Sequence, residues 1–157
     1  MVFPNMKIIF VCHGNICRSP MAEFIMKDLV FKAGLQNEFE ICSRSTSREE
    51  IGNPVYPPAR RMLERHGIDC SGKTARQLTK SEFDHCDLLI CMDSMNLRNT
   101  LRIVDSDPCH KISLLLDHTD RAGEEVSDPW YTGNFEEAWN DIYCGCKALL
   151  DALRSDK

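Results

Sequence analysis

Several features are missing from this chain, and each absence narrows the reading. There is no basic excess: 19 Lys and Arg stand against 24 Asp and Glu, a formal net charge of −5. Non-specific binding to nucleic acid or a membrane surface needs a basic face, so neither partner is expected and any anion site must be local. No C-x-x-C pair occurs, and no Cys/His grouping has structural-zinc spacing, so neither metal nor other cofactor is expected. The N-terminal part offers only the apolar run KIIFV, 7–11, too short for a secretory core or a membrane span. No internal repeat, low-complexity tract or linker interrupts the sequence.

What is abundant is cysteine. Nine thiols are many for 157 residues, and the number is odd, unlike a secreted disulfide framework. Several lie in apolar runs (EICSR, LLICM, IYCGC), where a free thiol packs as a small hydrophobe. A reduced, cytoplasmic protein is expected. At 43% apolar, the chain suffices for one filled core, so a single domain is expected over residues 1–157.

Apolar runs alternate with helix-like segments. KIIFVC (7–12), FEICS (39–43), DLLICM (87–92) and KISLL (111–115) read as strands. Ser19 and Pro20 are expected to cap and open a helix running to Gly34; PPARRMLERHG (57–67) opens on proline and stops at Gly67. Thr79 with Glu82 forms a capping box, and Asp93 is expected to cap a helix through Val104. After a polar loop at 118–133, Phe135, Ala138, Trp139, Ile142, Tyr143, Cys146, Leu149, Leu150 and Leu153 recur at helical spacing. The expected fold class is α/β: a four-stranded parallel sheet with helices on both faces, doubly wound in flavodoxin-like order. Ligands of such sheets bind beyond the carboxyl ends of the strands.

One stretch lies at such an end: FVCHGNICRSPMAE, residues 10–23. A strand entering a Gly-containing loop and then a helix turns backbone N–H groups inward as an anion cradle. Arg18 closes it with a planar fork that grips two phosphate oxygens at once. Cys12 lies beneath the anion, where the same field favours its thiolate and Ser19 is placed to donate a hydrogen bond to it. Such a thiolate attacks phosphorus and becomes a phosphocysteine. An aryl ester also needs an acid for the departing oxygen, and EEVSDPWYTGN holds Asp128 before a proline, with Trp130 and Tyr131 as aromatic walls.

VCHGNICRSPMAE with the distant DPWY resembles the low-molecular-weight protein tyrosine phosphatases, and TSREEIGNP, RHGID, ARQLT and CMDSMNLR extend the similarity over nearly the whole chain. The resemblance implies hydrolysis of phosphotyrosine proteins and small aryl phosphates, with inorganic phosphate as product. It implies Cys12 as nucleophile, Arg18 as phosphate binder and stabiliser of the transition state, and Asp128 as acid and then base. It further implies that His13, Gly14, Asn15, Ile16 and Cys17 form the phosphate loop. Asn15 would hold its shape, Ser19 and Ser43 would support it, and Cys17 would pair with Cys12 under oxidation.

The sequence also departs from the family. His13 replaces an apolar residue, Glu49 stands where some relatives have an aromatic wall, Lys73 replaces a histidine, and Trp130 is larger than the usual tyrosine. GIDCSGKT, 67–74, matches the letters of a nucleotide-binding loop but lacks a strand before it. Thiol-coupled arsenate reductase is the main alternative on the same fold; it needs two further relay cysteines, for which Cys86 and Cys91 are candidates. Phosphoarginine phosphatase is another, although an apolar Ile16 suits an aryl ester better. A non-catalytic phosphotyrosine-binding module is the third.

Overall fold

The computed structural model describes residues 5–155. Residues 1–4 and 156–157, the outer ends of the expected single domain, lie outside the described residues. The elements run β1 (Met6–Cys12), α1 (Arg18–Lys32), β2 (Phe39–Ser45), α2 (Pro57–Arg65), α3 (Lys80–His85), β3 (Leu88–Cys91), α4 (Ser94–Val104) and β4 (Ile112–Leu114). A 3-10 turn over Leu115–His118, the single-turn α5 (Pro129–Thr132) and α6 (Phe135–Ser155) complete the order. All four strands are parallel in the order β2-β1-β3-β4, as the alternation of apolar runs and helical segments implies.

The pleat of β1 divides the core in two. Ile8, Phe10 and Cys12 face a cluster built with Met21, Ile25 and Met26 of α1, Leu63 of α2, and Ile142 and Leu149 of α6. Ile9 and Val11 point the other way and pack with Leu89 and Cys91 of β3, Phe83 of α3 and Val104 of α4. Strands buried on both sides explain the near-continuous apolar runs. The chain leaves β1 for β2 on one side and then crosses to β3 on the other. The carboxyl end of β1 is therefore the switch point of the sheet, where the cysteine loop begins.

The expected capping box forms at Thr79 with Glu82, and Asp93 caps α4 as expected, completing a second box with Asn96 that the sequence reading did not include. The start of α1 differs from expectation. Helical bonding already begins at the Cys17 carbonyl, which accepts from Met21 N at 3.1 Å, so Ser19 lies inside the first turn and caps nothing. Its hydroxyl is turned to Cys12 instead. At the other end α1 stops at Lys32, with Gly34 just beyond it. Strand β2 extends two residues past the expected Ser43, because Ser45 pairs with Cys12. Residues 67–74 follow the C-terminus of α2 as turns, with one bridge between Thr74 and Pro54, and no strand feeds a nucleotide loop there.

In the Cys144–Gly145–Cys146 run, Cys146 is buried and Cys144 exposed. Gly145 between them is a point of close approach: a Cβ there would lie 2.4 Å from Leu115 Cγ, in the buried contact of α6 with the 3-10 turn. Helix propensity alone makes Gly145→Ala stabilising by about 1 kcal/mol. Overpacking against Leu115 should reverse the sign, lowering the unfolding free energy by about 1–3 kcal/mol. Urea titration reads that sign directly, and a stabilised variant would show that the contact yields.

Candidate active site

The loop from His13 to Cys17 turns from the end of β1 into α1, and Asn15 makes the turn possible. Its φ is +60°, a left-handed backbone that asparagine tolerates better than other residues with a Cβ. No side chain caps α1, so the N–H groups of its first turn face the loop as a cradle of partial positive charge. The Cys12 sulfur accepts from Asn15 N at 3.3 Å and lies 3.0 Å from Ser19 Oγ.

Asn15 is also the hub of a buried network. Its Oδ1 accepts from Arg76 N at 3.2 Å, which fixes the amide orientation. Both hydrogens on Nδ2 are then donated, to Ser19 Oγ at 2.8 Å and Ser43 Oγ at 2.9 Å. Ser43 passes its own hydrogen to Glu23 Oε1 at 2.6 Å. Ser19 accepts from Asn15, so its hydrogen is directed at the Cys12 sulfur. Glu23, buried and not singled out from sequence, lies between Lys27 at 2.6 Å and Lys73 at 3.7 Å. Lys73 also donates to the Ser43 carbonyl at 3.0 Å. Burial lowers the Lys73 ammonium from its ordinary value while Glu23 pulls the other way. Lys73 thus lies at the far end of the network that begins at Cys12.

Arg18 is only 2% exposed. Its Nη1 donates to Asp93 Oδ2 at 2.9 Å and to the Val126 carbonyl at 2.8 Å; Nη2 faces Asp128 Oδ2 at 3.4 Å. Burial works against the charge, but Cys12, Asp128 and Asp93 outweigh it and hold the guanidinium above its ordinary value. Asp93, expected only as a helix cap, does both jobs: Oδ1 accepts from Asn96 N at 2.8 Å while Oδ2 holds Arg18. Cys17 is buried beside these groups, and desolvation, then Cys12 and Asp128, push its thiol upward.

These side chains surround a cavity of about 160 Å³ lined by Cys12, His13, Gly14, Ile16, Cys17 and Arg18 on one side and by Asp128, Trp130 and Tyr131 on the other, with Glu49 and Glu50 at the mouth. All three residues expected to carry the chemistry therefore meet in one place. Asp128 Oδ1 caps α5 by accepting from Trp130 N at 3.0 Å, and Gly133 ends that single turn in the left-handed conformation. Trp130 is half exposed and Tyr131 is 82% exposed, so the aromatic wall is open to solvent. His13 pairs through Nε2 with Glu49 at the rim. Ser43 does not line the cavity and acts only through Asn15.

Residues 7–157 match the family model for low molecular weight phosphotyrosine protein phosphatase. The chain belongs to this family. It is 38% identical to YfkJ, a low molecular weight protein-tyrosine-phosphatase of Bacillus subtilis, over 96% of this chain and 97% of that one. The crystal structure of YfkJ superposes with a TM-score of 0.93, covering 98% and 97% of the two chains. The Homo sapiens low molecular weight phosphotyrosine protein phosphatase is 36% identical over 92% of this chain and 93% of its own. The Streptococcus pyogenes low molecular weight protein tyrosine phosphatase is 38% identical, with a TM-score of 0.82 over 94% and 93%. The chain is accordingly a hydrolase, a protein tyrosine phosphatase, and its substrates are phosphotyrosine compounds. Among the described residues no helix is long and apolar enough to cross a membrane.

Two substitutions separate the backbone role of Asn15 from its side-chain role. Asn15→Ala loses the hub and strains the left-handed backbone; Asn15→Gly loses only the hub. Urea unfolding should show Asn15→Ala less stable than Asn15→Gly by about 1–2 kcal/mol. Both should weaken competitive inhibition by inorganic phosphate. Equal stabilities would show that the turn relaxes around alanine.

Proposed function

We propose that Cys12, Arg18 and Asp128 hydrolyse phosphotyrosine in proteins, and small aryl phosphates, through a phosphocysteine. The Cys12 sulfur attacks phosphorus, and an S–P bond forms as the bond to the aryl oxygen breaks. Asp128 gives its proton to that oxygen, which leaves as the phenol. The carboxylate then takes a proton from water as the water oxygen attacks phosphorus; the S–P bond breaks and inorganic phosphate departs. Arg18 and the amides of the loop from His13 through Gly14, Asn15 and Ile16 to Cys17 hold the three non-bridging oxygens as charge develops on them. Ser19, held by Asn15, which Ser43 holds in turn, donates to the sulfur whenever it carries negative charge. Residues 1–157 act in this reading as one domain.

The observation that carries the reading is the shared cavity. A thiol, a buried guanidinium and a carboxylate converge on a space whose remaining wall is apolar and aromatic, from Ile16, Trp130 and Tyr131, with Glu49 at its edge. That wall suits an aryl ring. Support over arsenate reduction comes from the two relay candidates. Cys86 and Cys91 are both buried, and desolvation pushes them up to about 11 and about 12, which leaves little thiolate to relay. Ile16, not a polar residue, faces the cavity, which favours an aryl ester over a phosphoarginine.

Cys17 is proposed as the redox guard of Cys12. Peroxide oxidises the Cys12 thiolate to a sulfenic acid, leaving as water. The Cys17 thiol then attacks that sulfur, forming the disulfide and releasing a second water. The free state of all nine cysteines supports a reducing compartment, the cytoplasm.

Cys12→Ser should abolish turnover of para-nitrophenyl phosphate and of phosphotyrosine peptides; normal turnover would remove the nucleophile. Asp128→Asn should depress kcat/KM by about a hundredfold or more for poor leaving groups and far less for good ones. An equal loss on all of them would take the acid role from Asp128. Aryl phosphatase and thioredoxin-coupled arsenate reductase assays on one sample should give activity in the first alone.

A further inference from the structure

The proposed acid sits on a loop with little to hold it. Helix α5 has four residues, too few to be stable without tertiary contacts. The bond from Arg18 Nη2 to Asp128 is long at 3.4 Å, and Arg18 must also serve the phosphate. The closer hold on the carboxylate is Trp130 N, which donates to Asp128 Oδ1 at 3.0 Å. Wherever Trp130 goes, Asp128 goes with it.

Trp130 is in turn held by a residue that the reaction itself leaves idle. The ring of Tyr56 lies 4.8 Å from that of Trp130, tilted by 53°, and 6.0 Å from that of Phe135 at the start of α6. These separations are in the range at which aromatic rings attract. The backbone of Tyr56 is tied to the phosphate loop, with Tyr56 N donating to the Ile16 carbonyl at 2.9 Å. Pro57 after it keeps Tyr56 extended, at φ −56° and ψ 134°, so ring and amide point from a fixed base. Around it Ile16, Cys17 and Ala75 form a small buried cluster beneath the cavity, against which Tyr56 and Phe135 pack.

We propose that Tyr56 is a positioning residue, a strut that sets the distance between the phosphate loop and the proton of Asp128. It acts through Trp130 and touches no reacting atom. The inference rests on the reading of Asp128 as the acid. Its effect falls on the step in which the bond to the aryl oxygen breaks and that oxygen takes the Asp128 proton. Its signature is therefore dependence on the leaving group. Binding of phosphate, which uses Arg18 and the loop amides, is left alone.

The test compares kcat/KM over a series of aryl phosphates, from 4-nitrophenyl to phenyl, for wild type, Tyr56→Leu, Tyr56→Phe and Asp128→Asn. Tyr56→Leu should lose about tenfold on phenyl phosphate and less than about twofold on the 4-nitrophenyl ester, a fraction of what loss of the acid gives. Tyr56→Phe keeps the ring and should restore the wild-type slope. Competitive inhibition by inorganic phosphate should be the same in all three Tyr56 proteins. A uniform loss across the series in Tyr56→Leu, or weakened phosphate inhibition, would make Tyr56 a packing residue and overturn the proposal. If Tyr56→Leu does not fold, Trp130→Leu removes the same ring contact from the solvent side, and an unchanged slope there overturns it equally. A steepened slope in Asp128→Asn with none in either ring variant would leave the acid in place and remove the strut. No steepening in Asp128→Asn would remove both.

Discussion

The buried positive charge of Arg18 is the constraint around which the other parts are placed. A guanidinium taken out of water must be met by acceptors, and these arrive from two separate stretches of chain. Asp93 comes from just beyond the carboxyl end of β3, and Val126 and Asp128 come from one loop, which the same end of β3 also anchors through Val126 N and the Met92 carbonyl. Satisfying one cation therefore draws the tip of the third strand and the Asp128 loop over the first strand's loop. The geometry of the cavity follows from an electrostatic requirement of burial.

Beneath the loop the order is set by direction. Asn15 has two amide hydrogens and both are used, so the orientation of every hydroxyl downstream is decided. Ser19 points its hydrogen at the sulfur, and Ser43 points its own at Glu23. The chain ends on a carboxylate flanked by two lysines, a charged terminus that keeps Ser43 from turning round. Lys73 brings a flexible cation to this position. It holds the Ser43 backbone as well as the carboxylate.

Much of the fold was legible because its signals are local. The apolar runs, the capping box at Thr79, the cap at Asp93 and the spacing of the last helix each need only a few adjacent residues, and all of them form. The cysteine loop was legible for the same reason, since thiol, turn and cation lie within seven residues. Asp128 became legible only once the loop had been read, because nothing in an aspartate before a proline names its partner. The second duty of Asp93 and the burial of Glu23 were not legible. They depend on partners 75 and 20 residues away in sequence. The start of α1 was misjudged because serine before proline is the usual cap, whereas here the loop's own turn carries the chain into the helix and frees Ser19 for the sulfur. Tyr56 gave no signal at all, being one aromatic residue before a helix.

The double duty of Asp93 has a dynamic consequence. Helix ends fray, and opening the first turn of α4 releases the carboxylate that Asn96 N holds in place. The other oxygen of that carboxylate is bonded to Arg18, so each such opening loosens the buried guanidinium as well. Amide hydrogen exchange at Asn96 thus reports on the cavity from a backbone position outside it. Binding of an anion to Arg18 and slowing of exchange at the head of α4 become two readings of one equilibrium.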